Sequence, residues 1–280
     1  MHKEIFTTKK NIKDTTIALI SDIHYHNTFN SKLFDKITKQ IKNAHPDYIA
    51  IAGDILDTTT TTDMTVLEEF LKNIAAITTT IVILGNHDEK QGEMKNWSYK
   101  KNQKLISILN NIENIHLLTD TTYQEDNITF YGFNPSFKYY EEDKETYESF
   151  CNEIKDLNCN IPKDTYNVTL IHTPINIYKF LSNNKEHNLN NSDLILSGHM
   201  HNGCLPLWMS NIINKVFKTS RSIISPTRKI FPKYAQGRIY ERDGYIYEGL
   251  FKFSKSTKFF HIFDKFYHKQ ITIIKIKKEQ

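Results

Sequence analysis

Tyr48-Ile49-Ala50-Ile51-Ala52-Gly53-Asp54-Ile55-Leu56-Asp57 is an apolar run that breaks off at a glycine and an aspartate. A run this short and apolar, with β-branched Ile49 and Ile51, reads as a buried strand. The arrangement recurs on both sides of it. Ile17-Ala18-Leu19-Ile20 leads to Asp22-Ile23-His24, and Ile81-Val82-Ile83-Leu84 leads to Gly85-Asn86-His87-Asp88. Further on, Val168-Thr169-Leu170-Ile171 leads to His172, and Leu194-Ile195-Leu196 leads to Gly198-His199-Met200-His201. Helical spacing separates the first three runs: Ser31 is placed to cap a stretch with Leu33, Phe34, Ile37 and Ile41 on one face, and Val66, Leu67, Phe70, Leu71 and Ile74 repeat the pattern. Strand, helix, strand, helix, strand implies a parallel sheet, and ligands of open α/β sheets gather at the carboxyl ends of the strands. Each polar motif is expected at such an end.

The residue types in the motifs are those that hold borderline to hard divalent ions: carboxylates, imidazoles and one amide oxygen. No cysteine falls among them. Two ions roughly 3.5–4 Å apart need a bridging carboxylate, and the pair can then stabilise both the attacking and the leaving oxygen of a displacement at phosphorus. Asp54 is the natural bridge. Gly53, Gly85 and Gly198 stand where a bare Cα allows close approach. Seven of the twelve histidines (His2, His26, His45, His116, His187, His261 and His268) lie outside the motifs and read as structural. Of these His26 comes nearest the site, two residues past His24.

With these five blocks in this order, DxH, GDxxD, GNHD, a lone His and GHxH, the chain resembles the calcineurin-like metallophosphoesterase superfamily over residues 22–201. The resemblance implies a four-layer α/β sandwich, two mixed β-sheets flanked by α-helices, with a binuclear metal site at the strand ends. It implies that one ion is held by Asp22, His24, Asp54 and His201, and the second by Asp54, Asn86, His172 and His199. Metal-bound hydroxide would attack a phosphomono- or phosphodiester, with no covalent phosphoenzyme. His87 would contact the phosphate and protonate the leaving oxygen, and Asp88 would orient His87. Asp57 either bonds a ligand or caps the loop that follows it. The ending Gly198-His199-Met200-His201-Asn202-Gly203-Cys204 is similar to the GHxHGG ending of a bacterial branch, and departs from it at Asn202 and Cys204. That branch points to lipid or envelope-related phosphoesters. The ligand set admits manganese, zinc or iron.

A chain of 280 residues, 39% hydrophobic and 24% charged, is ordinary for a globular protein and is expected to form a single metallophosphoesterase domain over residues 1–280. Cys151, Cys159 and Cys204 make neither a disulfide framework nor a metal signature, which fits a reducing compartment. No secretory signal or membrane span is read at the amino terminus, so a cytoplasmic protein is expected. Alternation on both sides of Glu125-Asp126-Asn127 predicts a hairpin, residues 139–156 a surface helix, and residues 238–241, 245–248, 250–253 and 270–275 further strands, with Asp243-Gly244 as a turn.

Residues 204–236 form a basic, apolar insertion with six cationic and no acidic side chains. Trp208, Lys215, Lys218 and Arg221 would suit contact with an anionic membrane at the inner face, or the apolar residues pack on the sheet while the cations are solvated. Nucleic acid is a weaker partner, since a net charge of +4 is small for 280 residues and no nucleic-acid motif is present. A nuclease or nucleotide phosphodiesterase is nevertheless one alternative. A non-catalytic metal-binding scaffold is another, although it would have no need of an acid such as His87 beside the ions.

Overall fold

The apolar runs become strands in the computed structural model, which describes residues 1–26, 31–57, 61–91, 98–99, 101–135, 144–201, 212, 215–216, 218, 233–247, 249–250 and 270–279. In chain order, β1 (His2–Thr8) and β2 (Thr15–Ile20) lead into α1 (Ser31–Ala44), β3 (Tyr48–Ala52), α2 (Thr65–Ala75) and β4 (Thr80–Ile83). A single turn, α3 (Asn86–Glu89), is followed by the small ribbon of β5 (Lys90–Gln91) and β6 (Ser98–Tyr99), then α4 (Gln103–Asn111) and β7 (Ile115–Leu117). The second half holds β8 (Thr121–Glu125), β9 (Ile128–Gly132), α5 (Lys144–Ile154), β10 (Tyr166–Leu170), α6 (Ile177–Asn183) and β11 (Leu194–Ser197). It closes with β12 (Gly237–Ile239), β13 (Gly244–Ile246) and β14 (Thr272–Lys278).

Two six-stranded mixed sheets result. The first has the order β1-β14-β2-β3-β4-β7 and the second β12-β13-β11-β10-β9-β8. In the first, β2, β3, β4 and β7 run parallel and β14 is antiparallel to β2; in the second, β13, β11, β10 and β9 run parallel. Side-chain alternation assigns the layers. Ile128, Phe130, Tyr166, Val168, Leu170, Leu194 and Leu196 point inward and join the buried residues of the first sheet in one core. Their neighbours Tyr131, Ile171 and Ile195 point outward and meet Phe150, Ile154, Phe180 and Leu181 of α5 and α6. On the far side α1 and α2 cover the first sheet, with Phe34 and Phe70 stacked at 4.0 Å. The expected four layers of helix, sheet, sheet and helix are therefore present. A fully buried Ile or Phe contributes about 1.5–3 kcal/mol, so the central strands, where Ile49, Ile51, Ile81 and Ile83 are wholly buried, hold the site's backbone firmly.

Several local expectations shift. Ser31 is the first residue of α1 rather than a residue preceding it. The β8–β9 hairpin turns at Asp126-Asn127, with Asp126 at φ 49. The β12–β13 hairpin turns over residues 240–243, and Gly244 is already paired with Ile239. Gly244 lies within β13, and a Cβ there would strike the Tyr178 hydroxyl, so its small size serves packing rather than turning. Residues 58–60, 139–143 and 251–253 lie outside the described residues.

Candidate metal centre

Every motif sits where a parallel strand ends. Asp22 and His24 follow β2, Asp54 follows β3, Asn86 and His87 open α3 after β4, His172 follows β10, and His199 and His201 follow β11. Leaving the sheet there demands sharp bends. Asp22 (φ 52), His24 (φ 46), Asp54 (φ 51), His199 (φ 69) and His201 (φ 47) all adopt the left-handed region. Non-glycine residues held so cost on the order of 1–3 kcal/mol each and persist where their surroundings impose it. Gly53 shares that conformation at φ 86, and a Cβ there would lie 2.7 Å from His172 Nδ1. The loops are bonded across the sheet: Asp22 N donates to Gly53 O at 3.0 Å, His24 N to Asp54 O at 3.1 Å and Gly198 N to His172 O at 2.9 Å.

Two groups of side chains converge. Asp22, His24, Asp54 and His201 present ligand atoms all within 4.8 Å of one another, and Asp54, His172 and His199 do the same. Asp54 belongs to both. Its Oδ2 lies 3.2 Å from His172 Nε2 and 3.9 Å from His24 Nε2, while Asp22 Oδ1 lies 3.2 Å from His201 Nε2. His24 Nε2 and His201 Nε2 approach to 3.3 Å. Asn86 is 7% exposed, and its Oδ1 is buried without a well-formed hydrogen bond among the described residues, as are Asp54 Oδ2 and His24 Nδ1. Buried polar atoms left so carry a cost of about 1–3 kcal/mol. A divalent cation at each group would engage these atoms, and the donor set of oxygen and imidazole suits one. His24, Asp57 and His87 form a third close group.

The carboxylates and imidazoles of the two groups act strongly on one another. Burial pushes the Asp54 carboxyl up, but His172, His87 and His24 outweigh it and hold the group well below the ordinary carboxylate range. Burial works against a charged His172, yet Asp54 and Asp22 raise it to about 9. His24 is likewise raised by Asp57, Asp54 and Asp22 in spite of burial. His199 is driven well down by burial and by His172, which keeps its ring neutral as a ligand requires.

Supporting contacts set the rings. His172 Nδ1 lies 2.6 Å from Ala52 O, which fixes the tautomer and leaves Nε2 turned to Asp54. His87 Nδ1 lies 2.6 Å from the main-chain oxygen of Asp57. The orienting group of His87 is thus not Asp88, as the sequence leads one to expect. Asp88 is wholly buried and its carboxylate accepts from three backbone N–H groups, Gly85 at 2.8 Å, Leu56 at 2.8 Å and Ile55 at 3.2 Å. It ties the loop after β3 to the loop after β4, and burial together with Asp54 pushes it up to about 7. The side chain of Asp57 is 3.5 Å from His24 Nδ1, a contact with a candidate ligand, while the loop it is expected to cap lies outside the described residues. Ser21, which donates to Ala52 O at 2.9 Å, and the Ala52 and Asp57 carbonyls carry no signal in the sequence. His87 is half-buried, with its ring edge-on to His24 at 4.7 Å. Among the described residues none of His2, His26, His45, His116 and His187 joins a metal-type group. Trp208 and Arg221 lie outside the described residues, and Lys215 and Lys218 are exposed.

A family model for calcineurin-like phosphoesterases matches residues 15–203, from the first residue of β2 to just past His201. The chain belongs to the calcineurin-like phosphoesterase family. Among curated proteins it is similar to a metallophosphoesterase of Caenorhabditis elegans, 27% identical over 195 residues that make up 70% of this chain and 38% of the relative. It is also similar to a metallophosphoesterase of Campylobacter jejuni, 24% identical over 192 residues, 68% of this chain and 45% of the relative. The chain spans less than half the length of these two curated relatives. Among solved structures it is similar to a dimetal phosphatase from Danio rerio, with a TM-score of 0.42 and 12% identity over 84% of this chain and 87% of that one.

Proposed function

We propose that this family member hydrolyses phosphoester bonds at a centre of two divalent ions, one held by Asp22, His24, Asp54 and His201 and the other by Asp54, Asn86, His172 and His199. The observation that carries the proposal is Asp54, a buried carboxylate common to both converging groups. When bound, the ions lower the pKa of a water molecule and offset the charge developing on the phosphoryl oxygens. The chain's own residues do the remainder. Asp57 O accepts from His87 Nδ1 and so holds the ring, and in its imidazolium form the ring would then present the proton on Nε2 toward the leaving oxygen. Asp88 acts as a positioning residue for the two loops that carry Asp54 and Asn86. That β14, from the far end of the chain, lies between β1 and β2 supports reading residues 1–280 as one domain.

Turnover of a chromogenic aryl phosphate and its bis-aryl diester, with manganese, zinc or iron supplied, tests the reading and separates monoesterase from diesterase. Absence of turnover on both by protein that retains two ions would favour the scaffold reading instead. A cytoplasmic protein touching an anionic membrane, and acting on lipid or envelope-type phosphoesters, is the finer form of the proposal. It is supported by Ile212 and Val216, 57% and 68% exposed and four residues apart, beside exposed Lys215 and Lys218. No helix among the described residues is long and apolar enough to cross a membrane. Vesicle co-sedimentation that persists when Lys215, Lys218 and Arg221 are neutralised would remove the membrane component.

A further inference from the structure

A cavity of about 680 Å³ opens along α6 and shares no residue with the metal centre. Its size falls in the range of small-molecule sites, roughly 300–1,000 Å³. Among the described residues four cations line it, Lys179, Lys185, Lys233 and Arg242, and the carboxylate, Glu241, is paired with Lys233 Nζ at 2.8 Å. Three tyrosines line it as well. Lys179 Nζ stands 3.7 Å from the centroid of the Tyr147 ring, and Tyr234 lies against Tyr178 at 4.9 Å, with Lys233 Nζ 4.9 Å from the Tyr234 centroid.

Arg242 is fixed from behind. Its Nη1 donates to Asn190 Oδ1 at 2.8 Å, and its Nη2 to Asn190 O at 2.9 Å and Ser192 O at 3.0 Å. Its Nε, however, is buried without a hydrogen-bond partner among the described residues, and so is the hydroxyl of Tyr178, a side chain only 5% exposed. Two buried donors left unmet in one wall cost about 1–3 kcal/mol each. A wall that served packing alone would be more stable with apolar residues of the same shape.

We infer that this groove is a second binding site, for a small anion that carries a flat ring, the chemical class of a mononucleotide. The ring lies against Tyr147 and Tyr234, and the anionic group meets the ammonium groups of Lys179 and Lys185. An aromatic face contributes stacking and an ammonium near it favours a flat, electron-rich partner. The site touches the metal centre only through the chain: Ile175 and Asn176, at one end of the groove, follow His172 by three and four residues.

Calorimetric titration of the Asp54→Asn protein in the presence of chelator, with adenosine, guanosine, cytidine and uridine monophosphates as probes, tests this with the metal centre silenced. At least one monophosphate is expected to bind saturably, more tightly than its nucleoside or inorganic phosphate alone. Tyr234→Ala, and the pair Lys179→Ala with Lys185→Ala, should each weaken that binding by about tenfold or more. Lys185 is on the exposed rim, so Lys185→Ala carries the test if Tyr234→Ala does not fold. No saturable binding by any of the four, or binding untouched by these substitutions, would overturn the inference. Because the Asp54→Asn protein is used throughout, that outcome leaves the phosphoesterase reading where it stands.

Discussion

The two sheets bring different chemistry to the centre. The first supplies Asp22, His24, Asp54 and Asn86, a mixture of carboxylate, amide and imidazole, and also His87, Asp57 and Asp88 behind them. The second supplies imidazoles alone, His172, His199 and His201. Neither set makes a complete group. The first cluster needs His201 from the second sheet, and the second cluster needs Asp54 from the first. Even the main chain crosses over, since His199 N donates to both carboxylate oxygens of Asp22 at 3.1 Å. In the proposed reading the oxygen-rich half would set the charge and the proton chemistry, whereas the imidazole half would complete coordination.

The largest test of that division is Asp54→Asn, which removes the anion common to both halves. Turnover on the aryl esters should fall by about a thousandfold or more, ~4 kcal/mol in the barrier, and metal analysis should show fewer than two ions. Retained activity with two ions would mean that the halves are joined elsewhere. His87→Ala should next lower turnover by about a hundredfold or more with both ions kept, because His87 belongs to neither cluster around Asp54. If metal content fell with activity, His87 would have to be counted among the ligands.

A smaller effect separates coordination from sheet packing. With free ion at about one hundred times its dissociation constant, each bound ion adds ~2.7 kcal/mol, so chelation should lower the melting temperature by about 5 °C or more. His199→Ala should reduce that metal-dependent increment, and an unchanged increment would show that the second sheet does not report on the ions. The smallest effect is expected of Asp88→Asn. An amide offers one accepting oxygen to three N–H groups and sets its own N–H₂ against them, at a cost of about 1–3 kcal/mol. Chemical denaturation measures this, and a neutral result would remove Asp88 from its role between the two loops.

Much of this was legible from residue order. The apolar runs before Asp22, Asp54, Asn86, His172 and His199 predict the central strands because burial on both faces leaves no room for polar residues. The pairing of His2–Thr8 with Thr272–Lys278 was not read from the sequence, because β1 is an edge strand whose alternate residues are exposed. At the site, spacing and family resemblance place the side chains, and the two converging groups contain those residues apart from Asn86, whose amide is not a carboxylate or imidazole ligand. What orients them escapes such reading. Ala52 O and Asp57 O are groups every residue owns, so no side-chain pattern announces that they hold His172 and His87. The assignment of Asp88 to His87 failed for the same reason, since its partners are backbone N–H groups.

The left-handed backbone at Asp22, His24, Asp54, His199 and His201 has a consequence for how such a chain can change. At each of these five places glycine would relax the main chain, and at each it would delete a candidate ligand. Improvement of the fold and preservation of the chemistry therefore pull in opposite directions at the same positions. Drift toward sturdiness would give, step by step, a protein that melts later and turns over nothing.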